Sequence, residues 1–198
     1  MSRILTIDQG TTSSRSIIFD QKANIQVSAQ EEYHLIYPND GWVEVNPDDL
    51  YNSVLNTLKK LDLSDIKYAG ITNQRETTII WDRKSHEPIY NAIVWQDRRT
   101  SKYCDSINTD TNKSLIKDKT GLIIDSYFSA TKIKWILDNI EGAREKALAG
   151  DLCFGTVDTY LLFKLSNGKI HKTDITNASR TMLFNINTLE WDKELLEL

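Results

Sequence analysis

The sequence predicts an α/β fold with a mixed β-sheet flanked by helices. Three strand-like segments follow one another within the first 33 residues. Strands so close in sequence must be antiparallel, because a parallel pair needs a crossover on the order of a dozen residues. A helix-like segment then leads to a further apolar strand, which is how a chain returns parallel to an earlier strand. The second half is mostly helical in pattern.

Residues 3–8 carry the first strand, Ile4-Leu5-Thr6-Ile7 running into Asp8. A small-residue turn spans Gln9 to Ser14. Ser16-Ile17-Ile18-Phe19 reads as the second strand, closed by Asp20. A third covers 25–33, where Ile25, Val27 and Ala29 alternate with polar residues. Asn46-Pro47-Asp48-Asp49 is a helix start: Asn46 caps, Pro47 suits the first helical position, and the acids favour the positive end of the dipole. Leu50, Val54, Leu58 and Leu61 form one apolar stripe at helical spacing. Strand-like stretches at 66–73 and 77–82 flank Gln74-Arg75-Glu76, and another short strand is expected at 91–95. From residue 97 the pattern turns helical. Ser129 is read as the cap of a helix with Ile133, Ile136, Leu137 and Ile140 on one face. Residues 152–154 read as a buried strand and 156–165 as a short apolar helix. Trp191 to Leu198 reads as a helix whose Leu195, Leu196 and Leu198 have nothing downstream to pack on. Antiparallel strands feeding a parallel crossover are, by analogy, the pattern of ribonuclease-H-like (actin-like ATPase) domains.

The chain has 198 residues, 40% hydrophobic and 26% charged, with a formal net charge of −4. That balance suits a globular core and argues against a nucleic-acid surface, which needs clustered Lys and Arg. Arg98-Arg99 is the densest basic pair. Cys104 and Cys153 match no metal or redox spacing and read as reduced, buried thiols. His34, His86 and His171 are isolated in sequence. With no signal-peptide or transmembrane run, a cytoplasmic chain without membrane contact is expected. The sequons at Asn112 and Asn177 are then chance matches.

The most informative segment is Asp8-Gln9-Gly10-Thr11-Thr12-Ser13-Ser14-Arg15. A tight turn between two strands presents successive N–H groups on one side. Gly10 is read as permitting an unusual backbone angle and a close anion approach. Thr11, Thr12 and Ser13 add hydroxyls, and Arg15 a fixed positive charge suited to phosphate. Asp8, at a strand end, is placed to hold a magnesium ion directly or through water. No Gly-Lys-Ser/Thr is present and a strand follows the turn, so this is not a Walker P-loop. The plain alternative is a hairpin with solvated hydroxyls; flanking apolar strands and the preceding acid favour phosphate.

Three further features stay open on residues alone. Arg75 and Glu76 could form a surface ion pair of little value. They could instead line a cleft at a strand end, where a guanidinium and a carboxylate can grip neighbouring hydroxyls. Trp95 could be core or could offer its face to polyol C–H groups, and Tyr127 could be core with its hydroxyl bonded locally.

Along its whole length the chain resembles the FGGY carbohydrate kinases, and among them the branch acting on glycerol. The resemblance runs from Ile7-Asp8-Gln9-Gly10-Thr11-Thr12-Ser13-Ser14-Arg15 to Asn177-Ala178-Ser179-Arg180-Thr181-Met182-Leu183-Phe184-Asn185. Between these lie Gly41-Trp42-Val43-Glu44, Gly70-Ile71-Thr72-Asn73-Gln74-Arg75-Glu76-Thr77-Thr78, Asn91-Ala92-Ile93-Val94-Trp95-Gln96 and Phe154-Gly155-Thr156-Val157-Asp158-Thr159.

The resemblance implies ATP-dependent phosphorylation of glycerol to glycerol 3-phosphate by a magnesium-dependent, nucleotide-binding transferase of glycerol metabolism. It implies that Asp8 sits by the metal, and that Thr11, Thr12, Ser13 and Arg15 contact the nucleotide phosphates. Arg75 and Glu76 would bind the glycerol hydroxyls, Trp95 would pack on the carbons, and Tyr127 would complete the pocket. The partners implied are glycerol and ATP, in a homo-oligomeric enzyme. Residues 1–198 are expected to be the family's N-terminal domain, incomplete at its C-terminal end. The general base is expected beyond Leu198, and the chain alone is expected to be inactive. Ser126, Ala130 and Asp97 stand where Pro, Gly and, in some relatives, Cys would be expected. A related kinase for another polyol or sugar, and a non-catalytic actin-like nucleotide-binding module, are the alternatives.

Overall fold

A computed structural model describes residues 3–198. Met1 and Ser2, which lead into the first expected strand, lie outside the described residues. The chain divides into two compact units: residues 1–36 with 45–74, and residues 37–44 with 75–198.

The first unit is built on a four-stranded mixed sheet. β1 (Arg3–Gln9), β2 (Ser13–Phe19) and β3 (Ile25–Glu32) form an antiparallel meander. After β4 (Glu44–Val45), helix α1 (Pro47–Lys59) carries the chain to β5 (Ile66–Asn73), which pairs parallel to β1. The strand order is β3-β2-β1-β5. The α/β class and mixed sheet are those the sequence predicts. β2 begins at Ser13 rather than Ser16, because its hydrogen-bonded register with β1 runs out to Gln9 and Ser14. β3 lies at the sheet edge, and its alternating Ile25 and Val27 are exposed.

Helix α1 starts as its sequence dictates. The Asn46 Oδ1 accepts from the Asp48 N–H at 2.9 Å, with Pro47 at the first helical position. Its buried face differs from the apolar stripe read from sequence. Leu50 and Val54 are fully buried, but Leu58 and Leu61 are half-buried, and Ser53 and Thr57 take their place. Both hydroxyls are satisfied twice. Ser53 Oγ donates to the Leu50 carbonyl and Thr57 Oγ1 to that of Val54, each at 2.7 Å. A hydroxyl has one proton. Ser14 must therefore donate to Ser53 (2.7 Å), and Ser16 to Thr57 (2.6 Å). Two paired hydroxyls thus bolt the helix to β2.

The second unit packs short elements around apolar clusters and the buried rings of Trp81, Tyr160 and Phe163. It holds β6 (Ile79–Asp82), β7 (Ala92–Ile93), α2 (Ser101–Ser106), α3 (Asp110–Thr120), α4 (Ser129–Asn139) and α5 (Ala143–Leu148). It continues with β8 (Leu152–Gly155), α6 (Val157–Leu165), α7 (Ile175–Ala178), β9 (Phe184–Asn185), β10 (Glu190–Trp191) and α8 (Lys193–Glu197). β6 and β8 pair antiparallel, with Ile79 opposite Gly155. Ile80, Ile93 and Ile136 form one cluster, packed by Ile133, Leu137 and Ile140 of the predicted α4 face. Ile116, Phe128, Met182 and Leu195 form another. Leu195 is therefore buried against residues that precede it in the chain, while Leu196 is exposed.

Ser129 is not a cap: Phe128 occupies that position, and the buried Ser129 hydroxyl has no hydrogen-bond partner among the described residues. Gly155 is required by close approach, since a Cβ there would sit 2.6 Å from Thr159 Cβ and 2.9 Å from the Trp81 ring. Cys104 and Cys153 are free and buried. Among the described residues no helix is long and apolar enough to cross a membrane.

The basic pair Arg98-Arg99 does not form a surface patch. The Arg99 side chain is fully buried, held by Glu44 Oε1 at 2.7 Å and Asp97 Oδ2 at 2.8 Å. It lies over the Trp42 and Trp135 rings at 3.9 and 4.5 Å. Burial alone would lower its pKa, but hydrogen bonds to Asp97, Glu44 and Tyr90 more than offset this and raise it. Asp97 also accepts from the Val43 N–H at 2.6 Å, which accounts for a carboxylate at that position.

Candidate functional site

The first unit carries the phosphate-type hairpin. Alternation along paired strands puts directly opposed side chains on one face. Thr72, Asp8, Arg15 and Gln30 are successive partners across β5, β1, β2 and β3, so they form one polar row on a single face. Gln30 Oε1 accepts from Arg15 at 3.0 Å, and Gln30 Nε2 donates to Ser13 Oγ at 3.1 Å. Asp8, Ser13 and Arg15 thus share a surface, with Thr11 and Thr12 at the tip. Thr12 and Arg15 are exposed; Asp8, Thr11 and Ser13 are half-buried. Among the described residues no group of three His, Cys, Asp or Glu is placed to hold a metal by itself.

A buried polar cluster fixes the tip from behind. The Gly10 carbonyl accepts from the Tyr33 hydroxyl, from Gln9 Nε2 at 2.7 Å and from Gln74 Nε2 at 3.1 Å. Burial pushes the Tyr33 phenol up to about 12, so it remains a donor at physiological pH. Every peptide bond in the described chain is trans. In a planar trans peptide the N–H points opposite to the carbonyl. Anchoring the Gly10 carbonyl inward therefore turns the Thr11 N–H away from the cluster. Gly10 itself is not in the left-handed region, which corrects the expected unusual backbone angle. Its lack of a side chain serves close packing: a Cβ would lie 3.3 Å from the Ser13 carbonyl oxygen.

The second unit brings together Glu76, Trp95 and Tyr127, with Arg75 adjacent in sequence. Glu76 is buried and does not form a surface pair with Arg75. Its Oε1 accepts from Arg180 Nε at 2.6 Å, with side-chain exposures of 6% and 27%. Arg75 is exposed, with its guanidinium 3.4 Å from the Thr176 carbonyl. Trp95 and Tyr127 are half-buried and meet edge to face at 5.7 Å, and Tyr127 also packs against the cluster of Ile116, Phe128, Met182 and Leu195. The Arg180 guanidinium lies 5.8 Å from the Tyr127 centroid and 5.0 Å from that of Phe128. Burial, then the Glu76 charge, raise the Tyr127 phenol above its usual range, and Arg180 partly counters them. The result is a carboxylate fixed by one guanidinium, a second guanidinium beside it in sequence, and two half-buried aromatic rings. Such a set can accept from and donate to hydroxyls while packing on C–H groups.

Two members of this cluster are missing from the sequence reading. Arg180 lies in the Asn177-Ala178-Ser179-Arg180 string, with no local sign that it reaches a carboxylate 104 residues away. Lys132 is wholly buried and donates to the Glu76 carbonyl at 2.9 Å and the Tyr127 carbonyl at 2.6 Å. Its signal was its place four residues before Ile136, on the apolar face of α4, where an unpaired lysine does not belong.

Residues 3–198 match the N-terminal domain of the FGGY family of carbohydrate kinases. The chain is 59% identical to a glycerol kinase of Francisella philomiragia, covering 98% of this chain and 40% of that protein. It is 55% identical to one of Borrelia duttonii, covering 100% and 41%. It therefore spans about 40% of the length of the curated relatives it matches. A Plasmodium falciparum glycerol kinase solved with ADP superposes with a TM-score of 0.91 at 40% identity, covering 100% of this chain and 40% of that one. A ligand-bound xylulose kinase of Lactobacillus acidophilus, at 24% identity and covering 39% of its length, shares the fold with a TM-score of 0.85. The fold is that of the actin-like ATPases. The chain belongs to the FGGY family of carbohydrate kinases.

Proposed function

We propose that the protein containing this chain transfers the γ-phosphoryl group of ATP to a terminal hydroxyl of glycerol, giving glycerol 3-phosphate and ADP. The observation that carries this reading is the Glu76 carboxylate gripped by Arg180 beside Trp95 and Tyr127, in a chain 55–59% identical to glycerol kinases. Arg75 and Glu76 hold the hydroxyls, and the two rings pack on the carbons. Thr11, Thr12, Ser13 and Arg15 hold the phosphates, with the Thr11 N–H presented by the anchored Gly10 peptide.

In the reaction a bond forms between the hydroxyl oxygen and the γ-phosphorus while the β–γ bridging bond breaks, and ADP leaves. The hydroxyl proton passes to a general base that we assign to no residue of this chain. Positioning and charge stabilisation supply most of such catalysis. Asp8 fits a magnesium ion held mainly by phosphates and water, which needs one carboxylate rather than a cage. That ion would neutralise developing charge on the phosphates. The same reading makes the enzyme cytoplasmic and homo-oligomeric, with residues 1–198 contributing one domain.

The test joins this chain to the remaining residues of the Francisella philomiragia relative and follows ADP formation with a panel of polyols and ketoses. Glycerol-dependent ADP formation is expected. ADP formation that ignores glycerol, or prefers a pentulose, overturns the reading.

A further inference from the structure

Lysine is almost never fully buried unless its charge is paired or its donors are used. Lys132 is fully buried. What it does touch is specific. Its Nζ reaches the carbonyls of Glu76 and Tyr127, two residues on different segments that supply the carboxylate and a ring of the same cluster. Both of those side chains are also held from the front: Glu76 by Arg180, and Tyr127 by its edge contact with Trp95. A merely space-filling position would be served as well by an apolar side chain, which carries no cost of burying a charge.

We propose that Lys132 is a positioning residue of the polyol site, its Nζ bridging the Glu76 and Tyr127 carbonyls and so fixing the carboxylate relative to the ring. This rests on the reading of Glu76 and Tyr127 as glycerol-binding residues. One ammonium has three donors in a compact head, and two of them pin two peptide planes at once. Small displacements of groups that orient a substrate are costly to catalysis, by up to about a hundredfold for 1 Å. The charged groups acting on Lys132 are Asp97, Glu76, Asp125 and Arg99. Burial outweighs the three carboxylates and brings the lysine down to about 7, so the bridge loses its charge near neutral pH while an amine remains to donate.

The test uses the isotope-labelled chain and its Lys132→Met variant. It reads the carbonyl carbon resonances of Glu76 and Tyr127 and the affinity for glycerol across pH 6–9. Both resonances should move in the variant and glycerol should bind about tenfold or more weakly. The wild-type affinity should show a step near neutral pH that the variant lacks. Lys132→Gln, which keeps a donor, serves the same comparison if the methionine variant does not fold. Unmoved resonances overturn the bridge. Moved resonances with unchanged affinity and an unchanged pH profile overturn its positioning role. If the wild-type chain, joined to the remaining residues of the Francisella philomiragia relative, binds no glycerol while the resonances move, the polyol reading fails and the positioning role falls with it.

Discussion

Replacing Arg180 by methionine removes the guanidinium from a carboxylate that has nowhere to go. The Glu76 side chain is 6% exposed and its Oε1 sits 2.6 Å from Arg180 Nε. A charge-assisted hydrogen bond of this kind is worth about 1.5–3 kcal/mol, and orphaning a buried charge costs at least that. The cation over the Tyr127 and Phe128 rings adds about 0.5–1 kcal/mol where partly exposed. Arg180 retains 27% exposure, so water and salt screen the pair and the lower part of the range applies. Arg180→Met should therefore cost about 1–2 kcal/mol in urea unfolding, and about tenfold or more in glycerol affinity. It has a further signature. Arg180 pulls the Tyr127 phenol down against burial and Glu76, so its loss should move the Tyr127 titration further up. Urea unfolding, glycerol titration and ultraviolet pH titration of the wild type and the variant read the three effects. An unchanged glycerol affinity together with an unmoved Tyr127 titration would refute the coupling of Arg180 to this site.

Other outcomes follow from the same contacts. Tyr33→Phe removes one of three donors to the Gly10 carbonyl and an acceptor for Gln9 and Gln74, and should cost about 1–2 kcal/mol in urea unfolding and weaken ATP-analogue binding; equal binding by the variant would argue against the anchored tip. Gly155→Ala forces a methyl group to within 2.6 Å of Thr159 Cβ and should destabilise by about 1–3 kcal/mol, checked by the denaturant midpoint. Lys132 titrates at about 7 in the folded chain, below its ordinary range of about 10.5 in the unfolded one. Between those values the unfolded state binds more protons, so stability relative to Lys132→Met should rise with pH from 7 to 10 and stay flat below 7. A pH-independent difference would contradict a buried, depressed lysine.

What the sequence revealed was set by distance along the chain. The β1–β2 hairpin and the start of α1 were legible, because alternation, Asn46 and Pro47 act on their immediate neighbours. The buried face of α1 was not, since Ser53 and Thr57 look like solvent-facing residues until Ser14 and Ser16 arrive from β2 to pair with them. Gly10 was singled out partly for an unusual backbone angle, which it does not adopt; a Cβ there would instead sit tightly, 3.3 Å from the Ser13 carbonyl oxygen. Glu76 was identified through family resemblance, but its partner Arg180 lies 104 residues on, and no periodicity links them. Ser129 fits a cap by type, yet the helix takes it as a first residue and buries it.

Mapping glycerol onto the isotope-labelled chain by amide and indole resonance shifts tests the central claim most directly. Glycerol should perturb Arg75, Glu76, the Trp95 indole, Tyr127 and Arg180 in one saturable step, and leave Gly10 to Arg15 to respond to a non-hydrolysable ATP analogue instead. Saturable glycerol shifts that avoid Glu76, Trp95 and Tyr127 would contradict the account.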